Sequence, residues 1–158
     1  MRPLPFPYSL NIGTDIVHLP RILRLITTSN RENSSRLDRF TRRILSEQEQ
    51  RDFCSRFRLS TSPGNGPRFD RVTPTPDMAR WLAGRFAAKE AARKASNRGA
   101  GAIGWKDVLV SVEDTGTVGS GRPQVIYLDS KGERDARIGK LSISHDGEYV
   151  VATVLAAG

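Results

Sequence analysis

The residues with the clearest potential for chemistry lie in the stretch WLAGRFAAKEAARKA, at positions 81–95. Alanine, leucine, arginine, lysine and glutamate dominate this stretch and no β-branched residue interrupts it, so it predicts a helix. Side chains at four-residue spacing share one stripe of that helix, and here they are Leu82, Phe86, Glu90 and Lys94. Because a buried carboxylate must be paired or bound to a metal, this stripe indicates either a ligand site or an exposed ion pair.

A second candidate is Asp15, in the stretch LNIGTDIVHL that begins at Leu10. The stretch alternates and is rich in isoleucine and valine, which predicts a strand. Aspartate is depleted in strands, so its presence here needs a reason. Two interpretations stay open: an edge position with the carboxylate in solvent, or a ligand for a hard cation to which Gly13 allows access.

A third candidate is the strand end Ser142-Ile143-Ser144-His145. Successive residues of a strand point to opposite faces, so the two serines share one face and Ile143 lies on the other. Hydroxyl groups and an imidazole that converge at a strand end suit phosphate recognition. A hydroxyl-rich strand followed by a capping histidine explains the same residues without any ligand.

Composition limits the classes of protein to which the chain can belong. Its length of 158 residues fits a single domain over 1–158, and 25 basic against 17 acidic residues give a net charge of +8. Such a charge favours anionic partners, which are nucleic acid, phosphorylated metabolites or an acidic protein, and a solvated basic surface without a specific partner is the alternative. Cys54 is the only cysteine, so no intrachain disulfide can form, in keeping with a reducing compartment. No apolar run reaches about 18 residues, and MRPLPFPYSL is no secretory signal, so we expect no membrane partner.

The helices and strands that must position these three candidate sites are predicted from hydrophobic periodicity, helix-capping residues and turn residues. The expected strands lie at 10–19, 108–112, 124–128, 140–145 and 149–155, and the expected helices lie at 20–26, 37–44, from 46 onward, at 78–97 and at 130–137. Runs of helix followed by runs of strand, without an internal repeat, are typical of the α+β class.

Local signals mark several boundaries between these elements. A capping box begins the third helix at Ser46, and Asp77 is the expected N-cap of the long helix. Asp146-Gly147 predicts a hairpin turn between the last two strands. Residues 58–77 contain four prolines and two glycines, which cannot sustain a helix, and so predict an inserted flexible loop.

The chain resembles the holo-acyl-carrier-protein synthase family, the small 4′-phosphopantetheinyl transferases, in segments that follow the same order. They are IGTDIV, RFTRRILSEQE, WLAGRFAAKEAARKA with GAGAIGW, GRPQV and LSISHDGEYVVATV. The resemblance runs from about residue 10 to residue 155 and leaves out the loop at 58–77. It implies the fold of that family, an antiparallel sheet packed against a long helix in a single domain.

The resemblance also implies roles for individual residues. Asp15 and Glu90 would bind Mg²⁺, and together with Lys94 they would form the catalytic set. Arg21 would face the protein substrate. The implied coenzyme A-binding residues are Lys94, Gly99, Gly101, Pro123, Ser142 and His145. The identity of the base for the substrate hydroxyl stays open: the proton could pass to Glu90 directly or through a metal-bound water.

The implied activity is Mg²⁺-dependent transfer of the 4′-phosphopantetheine group of coenzyme A to a serine of an apo acyl carrier protein, in fatty acid biosynthesis. Compact members of the family are homotrimers with active sites between subunits. The extra loop and basic N-terminus favour a fungal-type mitochondrial enzyme, with a cytoplasmic bacterial-type enzyme as the alternative. The competing interpretation is a basic nucleic-acid-binding module without activity. The basic residues are spread along the chain without stacked aromatics, so we expect no nucleic acid partner.

Overall fold

The structure, a computed structural model, describes residues 3–4, 6–27, 36–59, 67, 69, 72–113, 121–128 and 136–158. The strands in these ranges are β1 (Leu10–His18), β2 (Val108–Val112), β3 (Pro123–Tyr127), β4 (Arg137–Asp146) and β5 (Tyr149–Ala157). The helices are α1 (Leu19–Ile26), α2 (Arg36–Ile44), α3 (Glu47–Phe57) and α4 (Pro76–Lys94), and the short 3-10 helices Ala100–Ala102 and Trp105–Asp107 follow. The expected α+β class is confirmed.

The strands form one antiparallel sheet in the order β1-β5-β4-β3-β2. The hairpin expected at Asp146-Gly147 is confirmed, because a tight turn joins β4 and β5 and its glycine has a φ of 52°, which favours glycine. Residues opposite each other on neighbouring strands share a face of the sheet. One such row sets Asp15, Ala152 and Ile143 on the same face.

Helix α4 packs on that face of the sheet, mainly against β1 and β5. Its buried residues are mostly alanines, whose short side chains let the helix backbone come close to the sheet. The approach is tightest at Gly13, where an added Cβ would lie 2.0 Å from the carbonyl oxygen of Ala91 and 2.6 Å from the nitrogen of Ala95. A glycine is therefore required at position 13, and Asp15, two residues further on the same face, is set against the helix.

A buried ion pair fastens α4 to α3. Lys89 and Glu49 have no exposed surface, and Lys89 Nζ lies 2.5 Å from Glu49 Oε2. The ammonium also donates to the carbonyl oxygens of Ile44 and Trp105, at 2.8 and 2.9 Å. Burial lowers the pKa of Lys89, and the charge of Glu49 opposes that shift. Glu49 also completes the expected capping box with Ser46, which is confirmed.

The expectation for the start of α4 is wrong. Thr75 caps the helix, because its hydroxyl accepts a hydrogen bond from the backbone N–H of Met78 at 3.2 Å, and Pro76 takes the first turn. Asp77 instead lies within the first turn, where a negative charge is favourable beside the positive end of the helix dipole.

Two expected segments fall partly outside the residues that the structure describes. Most of the helix expected at 130–137 lies there, and Arg137 itself belongs to β4, where it pairs with Tyr127 of β3. Much of the loop expected at 58–77 lies there too. Among the helices in the described ranges, none combines the length and the apolar character needed to cross a bilayer.

Candidate active site

Asp15 of β1 and Lys94 of α4 meet at the edge of the sheet. Lys94 Nζ lies 2.8 Å from Asp15 Oδ1 and 3.0 Å from the carbonyl oxygen of Thr14. The Asp15 side chain is only 16% exposed, whereas that of Lys94 is 44% exposed. Asp15 therefore lies on an edge strand, as one interpretation expected, but its carboxylate is paired and mostly covered and does not stand free in solvent. The Lys94 side chain that pairs with it remains accessible to a ligand.

Glu90 lies one turn before Lys94 on α4 but pairs with a different cation. Its Oε1 accepts a hydrogen bond from Nη1 of Arg93, and its side chain is 20% exposed. The i,i+4 ion pair between Glu90 and Lys94 that the sequence allowed is therefore wrong. Asp15, Glu90, Arg93 and Lys94 together form what we call the charge cluster.

The glycine-rich segment after α4, residues 99–104, is attached to the charge cluster. Gly99 has a φ of 76°, in the region that favours glycine, and turns the chain at the end of the helix. Arg93 Nη2 and Nε donate to the carbonyl oxygens of Ala100 and Ile103, both at 2.7 Å. Apart from its own chain neighbours, no described residue lies within 4 Å of a Cβ built on Gly101, so a ligand could approach its backbone. The structure thus brings Gly99 and Gly101 beside the charge cluster.

The two carboxylates of the charge cluster fit a hard cation. Within the described ranges, no three histidine, cysteine, aspartate or glutamate side chains group together. Mg²⁺ usually takes one or two protein carboxylates and completes its shell with water and substrate phosphates. Asp15 and Glu90 use Oδ1 and Oε1 in their ion pairs, and the second oxygen of each makes no hydrogen bond to another described residue. The donor set is therefore of the right chemistry and number for Mg²⁺.

A cavity of about 600 Å³ lies between the N-terminal half of α4, the end of α3 and β4. Arginines supply most of its charge, and the ionisable residues of its lining are Arg56, Asp77, Arg80, Arg85 and His145. An excess of guanidinium groups around a concave surface suits a phosphate or another anion. His145, which the sequence singled out, therefore faces an anion-binding type of cavity.

Arg85 is a candidate that the sequence interpretation missed. Its guanidinium lies over Trp81, with Cζ 4.4 Å from the ring centroid. Its buried Nε has no hydrogen-bond partner among the described residues. Burial lowers the pKa of Arg85, and the carboxylates of Glu49 and Asp52 oppose that shift. The signal that could have found it is the Trp81-Arg85 spacing of four, which places an aromatic ring beside a cation on one helix face.

Ser142 and His145 do not converge within one chain, so that expectation is wrong. Ser142 lies opposite Thr153, which lies opposite Thr14, and this row is on the face away from α4. Ile143 and His145 lie on the other face, where both line the cavity. The reason is the two-residue period of the strand, which separates positions 142 and 145.

Pro123 lies apart from the charge cluster, and Arg21 forms no ion pair with its carboxylates among the described residues. Pro123 begins β3, and both β4 and β5 lie between that strand and β1. Arg21 is exposed in the first turn of α1, directly after β1. A partner protein could therefore reach Arg21 from solvent.

Lys94 of the charge cluster and Arg85 of the cavity lie on opposite sides of α4. Arg85 and Lys94 are nine positions apart. This spacing corresponds to about 13.5 Å along the axis and, after two full turns, about half a turn around it. The two cations therefore point away from each other. A single small anion cannot contact both of them in one copy of the chain.

The family to which the chain belongs is shown by comparison with known proteins. The family model of the 4′-phosphopantetheinyl transferase superfamily matches residues 11–154. The chain belongs to this superfamily and is an enzyme, a phosphopantetheinyl transferase.

Individual relatives agree with this assignment. The chain is 62% identical to 4′-phosphopantetheinyl transferase B, mitochondrial, of Aspergillus fumigatus, over 100% of both chains. It is 34% identical to the holo-[acyl-carrier-protein] synthase of Gloeobacter violaceus, over 93% of this chain and 92% of the relative. The crystal structure of a Bacillus anthracis holo-(acyl-carrier-protein) synthase in complex with CoA (3′,5′-ADP) has a TM-score of 0.59 at 30% identity, over 94% and 96% of the two chains.

Proposed function

We propose that the protein is a holo-[acyl-carrier-protein] synthase that modifies a serine hydroxyl of an apo acyl carrier protein with the 4′-phosphopantetheine group of coenzyme A. Fatty acid biosynthesis is the process that such a product would serve. The observation that carries the proposal is the contact of Asp15 with Lys94, which follows Glu90 by one turn of α4. The names of the bacterial relatives and the coenzyme A complex of one of them support the two substrates.

The reaction forms a bond between the serine oxygen and the phosphorus atom of the 4′-phosphopantetheine. The bond from that phosphorus to the bridging diphosphate oxygen breaks, and adenosine 3′,5′-bisphosphate leaves with the bridging oxygen. Lys94 Nζ donates to the leaving phosphate and offsets its developing charge. The free oxygen of Glu90 accepts the serine proton, directly or through a water.

Mg²⁺ is the cation that we propose for the two carboxylates. Asp15 and Glu90 would hold it through the oxygens that their ion pairs leave free. When bound, the ion neutralises charge on the diphosphate and orients it for in-line attack. Asp15 lies on a strand and Glu90 on a helix, so both ligands belong to rigid elements.

We propose that coenzyme A lies between two copies of the chain in a homotrimer. Coenzyme A carries a diphosphate and a separate 3′-phosphate, and the chain offers cations for such groups on two opposite sides of α4. Lys94 with Gly99 and Gly101 would contact the molecule from one copy. His145 and Arg85 would contact it from the next copy. Pro123 and Ser142 lie away from both of these groups of residues within one copy. They could contact coenzyme A only if the molecule lies between copies.

The outer face of the sheet supports self-association. Large apolar side chains are exposed there, on the face opposite α4: Ile12 at 69%, Ile16 at 61%, Ile138 at 58% and Leu155 at 42%. The polar row of Thr14, Thr153 and Ser142 runs between Ile16 and Ile12, so the face is mixed. Exposed apolar side chains gathered on one face often mark an interface between proteins. A second and a third copy of the same chain would cover them.

Mitochondria are the proposed compartment. The support is the name of the 62% identical Aspergillus fumigatus relative, which places that protein in mitochondria. A fluorescent protein fused to the C-terminus should colocalise with a mitochondrial marker in fungal cells. A diffuse signal throughout the cytoplasm would contradict the compartment and leave the activity untouched.

The decisive experiment is a transfer assay read by mass spectrometry. The protein is incubated with an apo acyl carrier protein, coenzyme A and Mg²⁺, and the carrier protein is then weighed. We expect the carrier to gain the mass of one phosphopantetheine, and a chelator to prevent the gain. Absence of the gain with every fatty-acid-type carrier would contradict the proposal. Salt-sensitive binding of DNA or RNA in its place would support a nucleic-acid-binding module.

A further inference from the structure

Arg93 uses all three nitrogen atoms of its guanidinium on separate acceptors. Nη1 donates to Glu90 Oε1, Nη2 donates to the Ala100 carbonyl at 2.7 Å, and Nε donates to the Ile103 carbonyl at 2.7 Å. The guanidinium also lies over the ring of Trp105, with Cζ 4.7 Å from the centroid. The side chain is 18% exposed. It therefore connects Glu90 to both ends of the glycine-rich segment.

The ring under Arg93 is itself held by the core. The carbonyl of Trp105 accepts a hydrogen bond from the buried Lys89 at 2.9 Å, and its ring lies 4.8 Å from that of Phe86, between centroids. A planar fork on a fixed aromatic surface has little freedom to rotate. The orientation of the guanidinium, and with it the position of Glu90 Oε1, is thus set through Trp105 by the buried Lys89 and the partly buried Phe86 of α4.

We infer that Arg93 is a positioning residue of the transfer reaction. By holding Oε1, it fixes the plane of the Glu90 carboxylate and leaves Oε2 free for the reaction. By holding the carbonyls of Ala100 and Ile103, it fixes the glycine-rich segment against the same helix turn. One side chain thereby couples the carboxylate to the segment proposed to lie along coenzyme A. The inference deepens the proposed function and rests on it.

Arginine is needed for this role because no other side chain reaches three acceptors in one plane. Lysine keeps the charge but offers a single nitrogen, so it cannot hold Glu90 and both carbonyls in this geometry. If Arg93 acted only through its charge, the opposite result would be expected. A cation beside Glu90 repels Mg²⁺, so removing that cation would strengthen metal binding. The Arg93→Lys and Arg93→Ala variants therefore separate positioning from charge.

The first measurement is hydrogen exchange in the free protein, which needs no activity. The backbone N–H groups of Gly99, Ala102 and Gly104 donate to Ser96 O, Gly99 O and Asp107 Oδ2, at 2.9, 3.2 and 2.8 Å. Loss of the contacts from Arg93 should make these amides exchange about tenfold faster in Arg93→Ala. Arg51→Ala is the matched control, because Arg51 is exposed on α3 and bonds only to Gln48 among the described residues.

The second measurement is the transfer assay with Mg²⁺ and each substrate varied. In Arg93→Ala we expect turnover to fall about 10- to 100-fold, and half-saturation by Mg²⁺ to rise, as is typical when a partner of a metal-binding side chain is removed. The KM for the carrier protein should stay unchanged. Arg93→Lys should melt like the wild type and still lose turnover, while Arg51→Lys should behave as wild type throughout.

Three results would overturn the inference: wild-type exchange and kinetics in Arg93→Ala, full activity in Arg93→Lys, or tighter Mg²⁺ binding in either variant. If Arg93→Ala proves unfolded, Arg93→Lys alone decides between positioning and charge. A wild-type protein that transfers no phosphopantetheine would instead contradict the proposed function. The exchange rates would still decide whether Arg93 orders the glycine-rich segment.

Discussion

Asp15 and Glu90 each have a cation of α4 as a partner, and neither shares its partner with the other. Removing one carboxylate leaves a cation that is at least partly exposed, with Lys94 at 44% and Arg93 at 18% exposed. Each cation also keeps a backbone acceptor when its carboxylate is removed, the Thr14 carbonyl for Lys94 and the Ala100 and Ile103 carbonyls for Arg93. The two carboxylates can therefore be tested for catalysis without losing the fold.

We expect Asp15→Ala and Glu90→Ala each to abolish most turnover and to melt within a few degrees of the wild type. The double variant should be little worse than either single one, because residues that hold one ion act as a unit. Lys94→Ala should lower turnover and weaken coenzyme A binding together, since it removes a phosphate contact. Turnover is measured against Mg²⁺ concentration for each variant, beside thermal melts.

The control for these variants is Glu113→Ala. Glu113 pairs with Lys140 at 3.4 Å on the surface, where the two side chains are 37% and 70% exposed. Its loss removes an ion pair without touching the charge cluster, so activity should be unchanged. Near-normal rates in folded Asp15→Ala and Glu90→Ala would refute the metal site and the proposed mechanism.

The spacing of residues in α4 predicted which side chains were unusual but not their partners. Asp15, the partner of Lys94, is 79 positions away in sequence, and Glu49, the partner of Lys89, is 40 positions away. Helical periodicity relates only residues three or four positions apart, so it cannot reveal either of these pairings. The sequence places two lysines close to Glu90 and does not distinguish them. The packing of α3 and β1 against α4 does: Lys89 is buried in an ion pair with Glu49, whereas Lys94 is partly exposed beside Asp15.

At the scale of elements, the contact between β1 and α4 determines where Asp15 lies. The contact joins backbone to backbone at Gly13, so a side chain there would push the strand away from the helix. Gly84, within α4, is in the opposite situation, because nothing lies within 4 Å of its Cβ position. The two glycines therefore make a matched pair for substitution by alanine.

Gly13→Ala should destabilise the protein by about 1–3 kcal/mol, the typical cost of overpacking, and should lower turnover because Asp15 moves with the strand. Gly84→Ala should instead stabilise it by about 0.5–1 kcal/mol, since alanine restricts the unfolded chain and suits a helix. Thermal or urea unfolding measures both. A Gly13→Ala protein as stable as the wild type would contradict the close packing of β1 on α4.

The ends of the elements were predicted less well than their order, for reasons that can be stated. Asp77 is a good capping residue, but Pro76 fits the first turn of a helix and moves the cap back to Thr75. Strand β4 begins at Arg137 because it pairs with Tyr127 of β3, a partner that local sequence does not reveal. Period and caps predict that an element exists, whereas pairing decides where it ends.

At the scale of the whole molecule, the excess of positive charge and the uncovered sheet face act on different partners. A net charge of +8 favours encounter with the polyanion coenzyme A and with an acidic carrier protein. The apolar outer face carries little charge and suits another copy of the chain. Assembly and substrate capture can therefore be disturbed separately.

We expect Ile16→Asp to abolish the homotrimer and most of the activity, because a carboxylate would enter the apolar interface and the two halves of the proposed coenzyme A site would separate. Val112→Asp is the control. Its position is also 61% exposed, but it lies on the end of β2 and not among the apolar residues of the outer face. Light scattering gives the mass of each variant. A wild-type monomer at working concentration would refute the assembly.

The buried pair of Lys89 and Glu49 also limits how these two positions can change during evolution. Changing either residue alone strands a charge in the core, at a cost of about 3–5 kcal/mol, which is a large fraction of the stability of an ordinary domain. Glu49 is further constrained, because it caps α3 with Ser46 and its Oε1 accepts a hydrogen bond from the N–H of Val110 at 3.2 Å. During evolution the pair can therefore be lost only if both residues change almost together. We expect relatives of this protein either to keep both residues or to have replaced both.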